Sequence, residues 1–200
     1  MVPNRSRSVS HDVAKKISDL VKTYRGTEII ETECLNNMSV FEYNSIKPRS
    51  SGPYLVGVFR NQPLKEVLEL QKKFHLDYVQ LHGDEPIEWA KDIPVPVIKR
   101  FTPNTPEFEQ CLAPNYYSLA LIDSPLGGEG KLVDRTVLDE YVNLGARFII
   151  AGGLNPENVS TVFSTKGVIG VDVSGGVETN ASKDLEKINK FVANAKLAWI

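Results

Sequence analysis

The chain has 200 residues, 42% of them hydrophobic and 24% charged, and a formal net charge of −2. A chain of this size buries a sizeable core without staples, and its balanced charge leaves no footprint for nucleic acid or an anionic membrane. No apolar run approaches the ~18 residues of a membrane span, and no signal-peptide pattern opens the chain. Two cysteines, Cys34 and Cys111, are too few for a disulfide framework or a zinc cage, so a reducing cytoplasm is the expected compartment.

The chain opens on a polar loop, Val2-Pro3-Asn4-Arg5-Ser6-Arg7, with no strand before it. Residues 10–24 then read as an amphipathic helix. Val13, Ile17, Leu20, Val21 and Tyr24 form one apolar stripe, with Ser10 as N-cap. Residues 26–53 show no sustained period and read as an irregular insertion.

From Tyr54 onward, β-branched apolar runs alternate with helical segments. The predicted strands are 54–59, 78–82, 97–101, 119–123, 147–151 and 168–173, recurring at βαβ spacing. Helix starts are signalled by Pro63, by Thr105-Pro106 and by Asn155-Pro156, each proline suited to a first turn. Asp134 is placed to cap the helix that runs through Val137 and Tyr141. A last helix at 182–198 carries Leu185, Ile188, Val192 and Ala195 on one face. Six strands and seven helices in strict alternation imply a parallel sheet covered by helices, either an open doubly wound sheet or a closed (β/α)8 barrel. No G-x-G-x-x-G follows a strand, so the dinucleotide-binding signature is absent.

In a barrel, chemistry sits at the C-terminal strand ends and in the loops after them. Asp123 ends the fourth run and serves either as a general acid or as a loop cap. Gly127-Gly128-Glu129-Gly130-Lys131 follows, a loop able to close over an anion or to act as an ordinary turn. It is no P-loop, because Pro125 stands where the first glycine belongs and Leu132 replaces the Ser/Thr. Gly152-Gly153 and Ser174-Gly175-Gly176 end the last two runs. Their adjacency favours a phosphate site over two independent tight turns.

His82-Gly83-Asp84-Glu85 has metal-ligand residue types, but His11 and His75 lie elsewhere, so a substrate contact or a capped turn is preferred and no metal is expected. Arg5 and Arg7 can each grip a carboxylate or simply be solvated. Neither cysteine lies at a strand end, and Cys111 is placed facing the core, so neither is read as a nucleophile.

Taken in order, these motifs resemble the phosphoribosylanthranilate isomerase family of tryptophan biosynthesis. The resemblance runs over residues 2–24 and 54–197. It is carried by Pro3-Asn-Arg-Ser-Arg7, Val56-Gly-Val-Phe59, Val79-Gln-Leu-His-Gly-Asp-Glu85, Val97-Ile-Lys99 and Leu121-Ile-Asp123. It continues through Gly127–Lys131, Gly152-Gly-Leu-Asn-Pro-Glu-Asn158 and Val171-Asp-Val-Ser-Gly-Gly-Val-Glu178.

The resemblance implies a (β/α)8 barrel with no cofactor and a small-molecule substrate. The implied reaction is the Amadori rearrangement of N-(5-phosphoribosyl)anthranilate to a 1-deoxyribulose-5-phosphate ketose. It further implies Asp123 as the acid that protonates the furanose oxygen and Arg7 as the grip on the anthranilate carboxylate. Gly152, Gly153, Ser174 and Gly175 match the phosphate loops, Gly128 and Gly130 the glycine loop, and His82 the mouth of the site.

Two departures qualify the match. The family's opening strand, whose Lys-x-Cys-Gly cysteine is the general base, has no counterpart here, so residues 1–200 read as a single barrel domain lacking its N-terminal strand-helix-strand. Loss of a general base is expected to cost on the order of 10²–10⁴ in rate. Leu132-Val133-Asp134-Arg135 also replaces the family's Thr-Phe-Asp-Trp. An inactive remnant of the enzyme is therefore an alternative expectation. Another phosphate-sugar barrel enzyme, with Lys99 as a strand acid, is a further one.

Overall fold

The computed structural model describes residues 8–25, 53–112, 117–123 and 135–199. It divides into two compact units, one comprising Met1–Lys99 with Pro114–Ser118 and the other Arg100–Ala113 with Leu119–Ile200.

In the first unit, α1 (His11–Arg25) precedes β1 (Val56–Phe59), α2 (Leu64–Phe74), β2 (Tyr78–Leu81), a 3-10 turn at Ile87–Lys91 and the start of β3 (Val97–Phe101). β1 pairs with β2 in parallel, from Val56 opposite Tyr78 to Phe59 opposite Leu81. β2 pairs with β3 in parallel, from Val79 opposite Val97 to Leu81 opposite Lys99. Phe59, Val67, Leu70, Phe74, Val79 and Leu81 make the core. Pro63 starts α2 as its sequence predicts: its missing N–H costs nothing there, and its carbonyl accepts from Val67 N at 3.1 Å.

The second unit holds the end of β3, a 3-10 turn at Pro106–Leu112, β4 (Leu119–Ile122), α3 (Arg135–Asn143), β5 (Phe148–Ile150), a 3-10 turn at Val159–Ser164 and β6 (Val168–Val171). A short turn at Gly175–Val177, a hairpin of β7 (Glu178–Thr179) with β8 (Ser182–Lys183), and α4 (Leu185–Ala198) complete it. β4, β5 and β6 are parallel neighbours in chain order. Leu121, Ile122, Phe148 and Val159 are buried between the strands and their covering helices. Phe108 meets the ring of Tyr141 edge-on at 4.5 Å, tying the 106–112 turn to α3.

Three helical expectations need correction. Ser10 does cap α1, its Oγ accepting from Val13 N at 3.3 Å, yet the α1 stripe is not the buried face. Val13, Ile17, Leu20 and Tyr24 are exposed, Tyr24 by 74%, while Ala14 and Ser18 are buried. The small residues win because they allow close approach: Ser18 Oγ donates to Phe74 O at 2.7 Å in the last turn of α2.

The second correction concerns the C-terminal helix. It starts at Leu185, because Ser182-Lys183 form a strand and Asp184 is the N-cap. Its inward residue is Phe191, one position from Val192; Leu185 and Val192 are exposed.

The third is the 105–113 segment, which is a 3-10 turn rather than an α-helix, although Cys111 faces inward as expected. The Asp134 cap, Cys34 and nearly all of the 26–53 insertion lie outside the described residues. Among the described residues, no helix is long and apolar enough to cross a membrane.

Candidate active site

The second unit brings Asp123 and both expected phosphate loops to one edge. Asp123 follows β4, Gly152-Gly153 follow β5, and Ser174-Gly175 come shortly after β6. Parallel-ladder bonds fix the alignment. Asp123 N donates to Phe101 O at 3.1 Å, Ala151 N to Ile122 O at 2.8 Å, and Asp172 N to Ile150 O at 2.8 Å. All these C-terminal strand ends therefore face the same way.

Gly152 and Gly153 take φ of 84° and 66°, a left-handed pair that side chains disfavour. Asn158 braces it: its Nδ2 donates to Gly153 O at 3.0 Å and its Oδ1 accepts from Asn155 N at 2.8 Å. Asn155 Oδ1 in turn accepts from Glu157 N and Asn158 N and braces this turn, whereas the helix expected to start at Asn155-Pro156 is a 3-10 turn that begins at Val159 with Asn158 as its N-cap.

The second loop is held to the first by close approach. A Cβ on Gly176 would lie 1.8 Å from Leu154 O, so only glycine fits. Lys183 Nζ donates to Ser174 O and to Glu178 Oε1, both at 2.8 Å, and fastens the far side. Ser174 and Gly175 are exposed.

Asp123 is buried, and its Oδ2 lies 3.8 Å from Arg100 Nε. At that distance the contact is electrostatic rather than a hydrogen bond.

In the first unit, His82 follows β2. Its backbone N donates to Phe59 O at 2.8 Å, and its Nδ1 lies 3.0 Å from Gln80 Nε2. With the Gln80 amide donating, Nδ1 is the acceptor and the ring proton sits on Nε2.

Beneath His82 is a polar hub. The Glu85 carboxylate accepts from Asn61 N at 2.6 Å and from Gly83 N at 2.8 Å. Lys99 Nζ donates to Gly83 O at 2.9 Å and stands 3.7 Å from Glu85 Oε2, both side chains being buried. Among the described residues no group of three His, Cys, Asp or Glu is placed to hold a metal. Arg7, Gly128 and Gly130 lie outside the described residues.

Cys111 is buried in the 106–112 turn, and burial pushes its thiol up to about 11. A thiol so held is inert at neutral pH.

The sequence profile of the N-(5′-phosphoribosyl)anthranilate isomerase family matches residues 9–194. The chain belongs to that family.

The N-(5′-phosphoribosyl)anthranilate isomerase of Komagataella pastoris is 43% identical over 208 residues, covering 98% of this chain and 87% of the relative. The phosphoribosylanthranilate isomerase of Thermotoga maritima superposes with a TM-score of 0.72 at 30% identity, over 98% of this chain and 84% of that one. A further isomerase structure, solved with reduced 1-(o-carboxyphenylamino)-1-deoxyribulose 5-phosphate, gives 0.69 at 28% identity, again over 98% and 84%. The fold is accordingly the α/β class of the (β/α)8 barrel.

Three features of this isomerase-family chain escape a reading of strand ends alone. The sequence presents Glu85 as a ligand type and Lys99 as a strand acid, whereas in the fold they form a buried hub around Gly83. Arg100 faces Asp123. The available signal was Lys99-Arg100 inside an otherwise apolar strand, since two adjacent cations on a buried strand demand partners.

Proposed function

We propose that this chain performs the isomerase reaction of its family, the Amadori rearrangement of N-(5-phosphoribosyl)anthranilate. The observation that carries the reading is the shared edge of the second unit, where a buried aspartate stands with two glycine-bearing loops. The loops suit the 5-phosphate through backbone amides at Gly152, Gly153, Ser174 and Gly175. Asp123 is the general acid: it protonates the furanose oxygen, the C1′–O4′ bond opens, and the anthranilate nitrogen forms the Schiff base. Removal of the C2′ proton gives the enolamine, which becomes the ketose. Neither Cys34 nor Cys111 lies in a Lys-x-Cys-Gly context, and neither is assigned that proton.

Arg7 is assigned to the substrate carboxylate, Gly128 and Gly130 to the loop near the substrate, and His82 to a hydrogen bond at the site's mouth. The substrate is small, no nucleic acid or membrane takes part, and the reaction belongs in the cytoplasm.

The test is complementation of a tryptophan auxotroph that lacks the isomerase. Growth on the 200-residue chain, and loss of growth with Asp123→Asn at equal soluble expression, supports the reading. Soluble chain without growth identifies an inactive relative instead. Turnover of another phosphosugar, with none of phosphoribosylanthranilate, assigns a different barrel enzyme.

A further inference from the structure

Arg100 stands on β3 one residue before Phe101, whose carbonyl accepts from the backbone N of Asp123. The two strands are thus fastened beside the pair, and the guanidinium meets the carboxylate at 3.8 Å with both side chains largely withdrawn from water. Its Nε, the atom nearest Asp123, belongs to a fork that carries charge at any working pH. Water screens a pair so enclosed much less than a surface pair.

We propose that Arg100 is a positioning residue for Asp123, orienting the carboxyl group and stabilising the carboxylate that remains when its proton is given up. The inference rests on Asp123 being the acid of the reaction proposed above. In that step the Asp123 O–H proton passes to O4′. The C1′–O4′ electron pair stays on that oxygen, the nitrogen lone pair forms C1′=N⁺, and one negative charge is left on Asp123. Arg100 faces that new charge. When Asp123 enters the step carrying its proton, the charge develops only as the step proceeds; the guanidinium then favours the transition state more than bound substrate, and its effect belongs in kcat over the pH range where the acid is protonated.

The experiment uses the full chain with Arg100→Met and Arg100→Lys, each confirmed folded by circular dichroism and thermal unfolding. Steady-state kinetics are read beside calorimetric binding of reduced 1-(o-carboxyphenylamino)-1-deoxyribulose 5-phosphate. Arg100→Met is expected to lower kcat by about 10- to 100-fold, part of the ~10²–10⁴ a general acid supplies, with KM and analogue affinity within about twofold. Arg100→Lys keeps the charge and recovers part of the loss.

A rise in KM with matching loss of analogue binding, at unchanged kcat, would make Arg100 a grip on a substrate anion and overturn the proposal. Unchanged kinetics in Arg100→Met, or no recovery in Arg100→Lys, overturns it as well while leaving the isomerase reading intact. A parent chain that is folded yet neither turns over substrate nor binds the analogue defeats that reading, and this inference with it.

Discussion

Glu85→Gln is the sharpest stability probe of the hub beneath His82. Glutamine has nearly the same shape but offers one oxygen where the carboxylate offers two. The carboxylate now serves Asn61 N and Gly83 N together. Whichever way the amide turns, its NH2 confronts one of those N–H groups, and a buried unsatisfied donor costs about 1–3 kcal/mol.

Lys99 Nζ keeps Gly83 O but loses its neighbouring anion. Removing one partner of a buried pair costs about 3–5 kcal/mol. The two losses overlap because they share one side chain, so the net destabilisation is about 3–5 kcal/mol.

Urea unfolding at neutral pH measures it. With a slope of about 2 kcal/mol per molar, the midpoint drops by about 1.5–2.5 M. Adding Lys99→Met to Glu85→Gln removes the stranded ammonium and is expected to raise the midpoint again. A single variant within about 0.5 M of the parent refutes the argument that the hub is a buried, mutually dependent charge pair.

Three further outcomes are expected. Asn180 and Ala181 turn the β7–β8 hairpin with φ of 52° and 60°. Ala181→Gly relieves a left-handed alanine costing about 1–2 kcal/mol and returns about 0.5–1 kcal/mol in chain entropy, a net gain of about 0.5–1 kcal/mol visible in the same urea titration.

Asp184 caps α4 through Glu186 N and Lys187 N and accepts from Thr179 Oγ1 at 2.7 Å. The Thr179 hydroxyl first, then the amides, hold its carboxyl below the usual value. Because the folded form is the stronger acid, its contribution is present above the ordinary carboxylate range and is lost as pH falls through the lowered value. Thermal midpoints taken from pH 7 downward should fall less steeply in Asp184→Asn, and equal slopes would count against the cap. Finally, with Cys34 replaced by serine, Cys111 should resist thiol reagents at pH 8 until denaturant is added; rapid labelling of the native chain contradicts its burial.

The six parallel strands were legible because both-face burial writes itself as short β-branched runs, and each run falls within a residue or two of its observed strand. The positions of Asp123, Gly152, Gly153, Ser174 and Gly175 just after strands were legible because the strands themselves were.

Helix faces were less so. The stripe on α1 has the right period, but periodicity cannot say which neighbour a helix meets; Ser18 and Ala14 settle it by allowing the close contact at Phe74. On α4, Phe191 displaces Val192 from the inward position by its greater apolar area. The Glu85–Lys99 and Arg100–Asp123 pairs were hidden for a different reason. Each depends on which residues the parallel register sets side by side, and spacing along the chain does not encode that.

The contact between Gly176 and Leu154 O makes two loops into one heritable object. A side chain at 176 displaces the backbone at 154, so a change tolerated in either loop depends on what the other already holds. Loop libraries that vary residues 152–158 alone, or 174–177 alone, will be dominated by this constraint. Transplanting both segments together from a single donor keeps their mutual fit, and with it the freedom to alter which anion they receive.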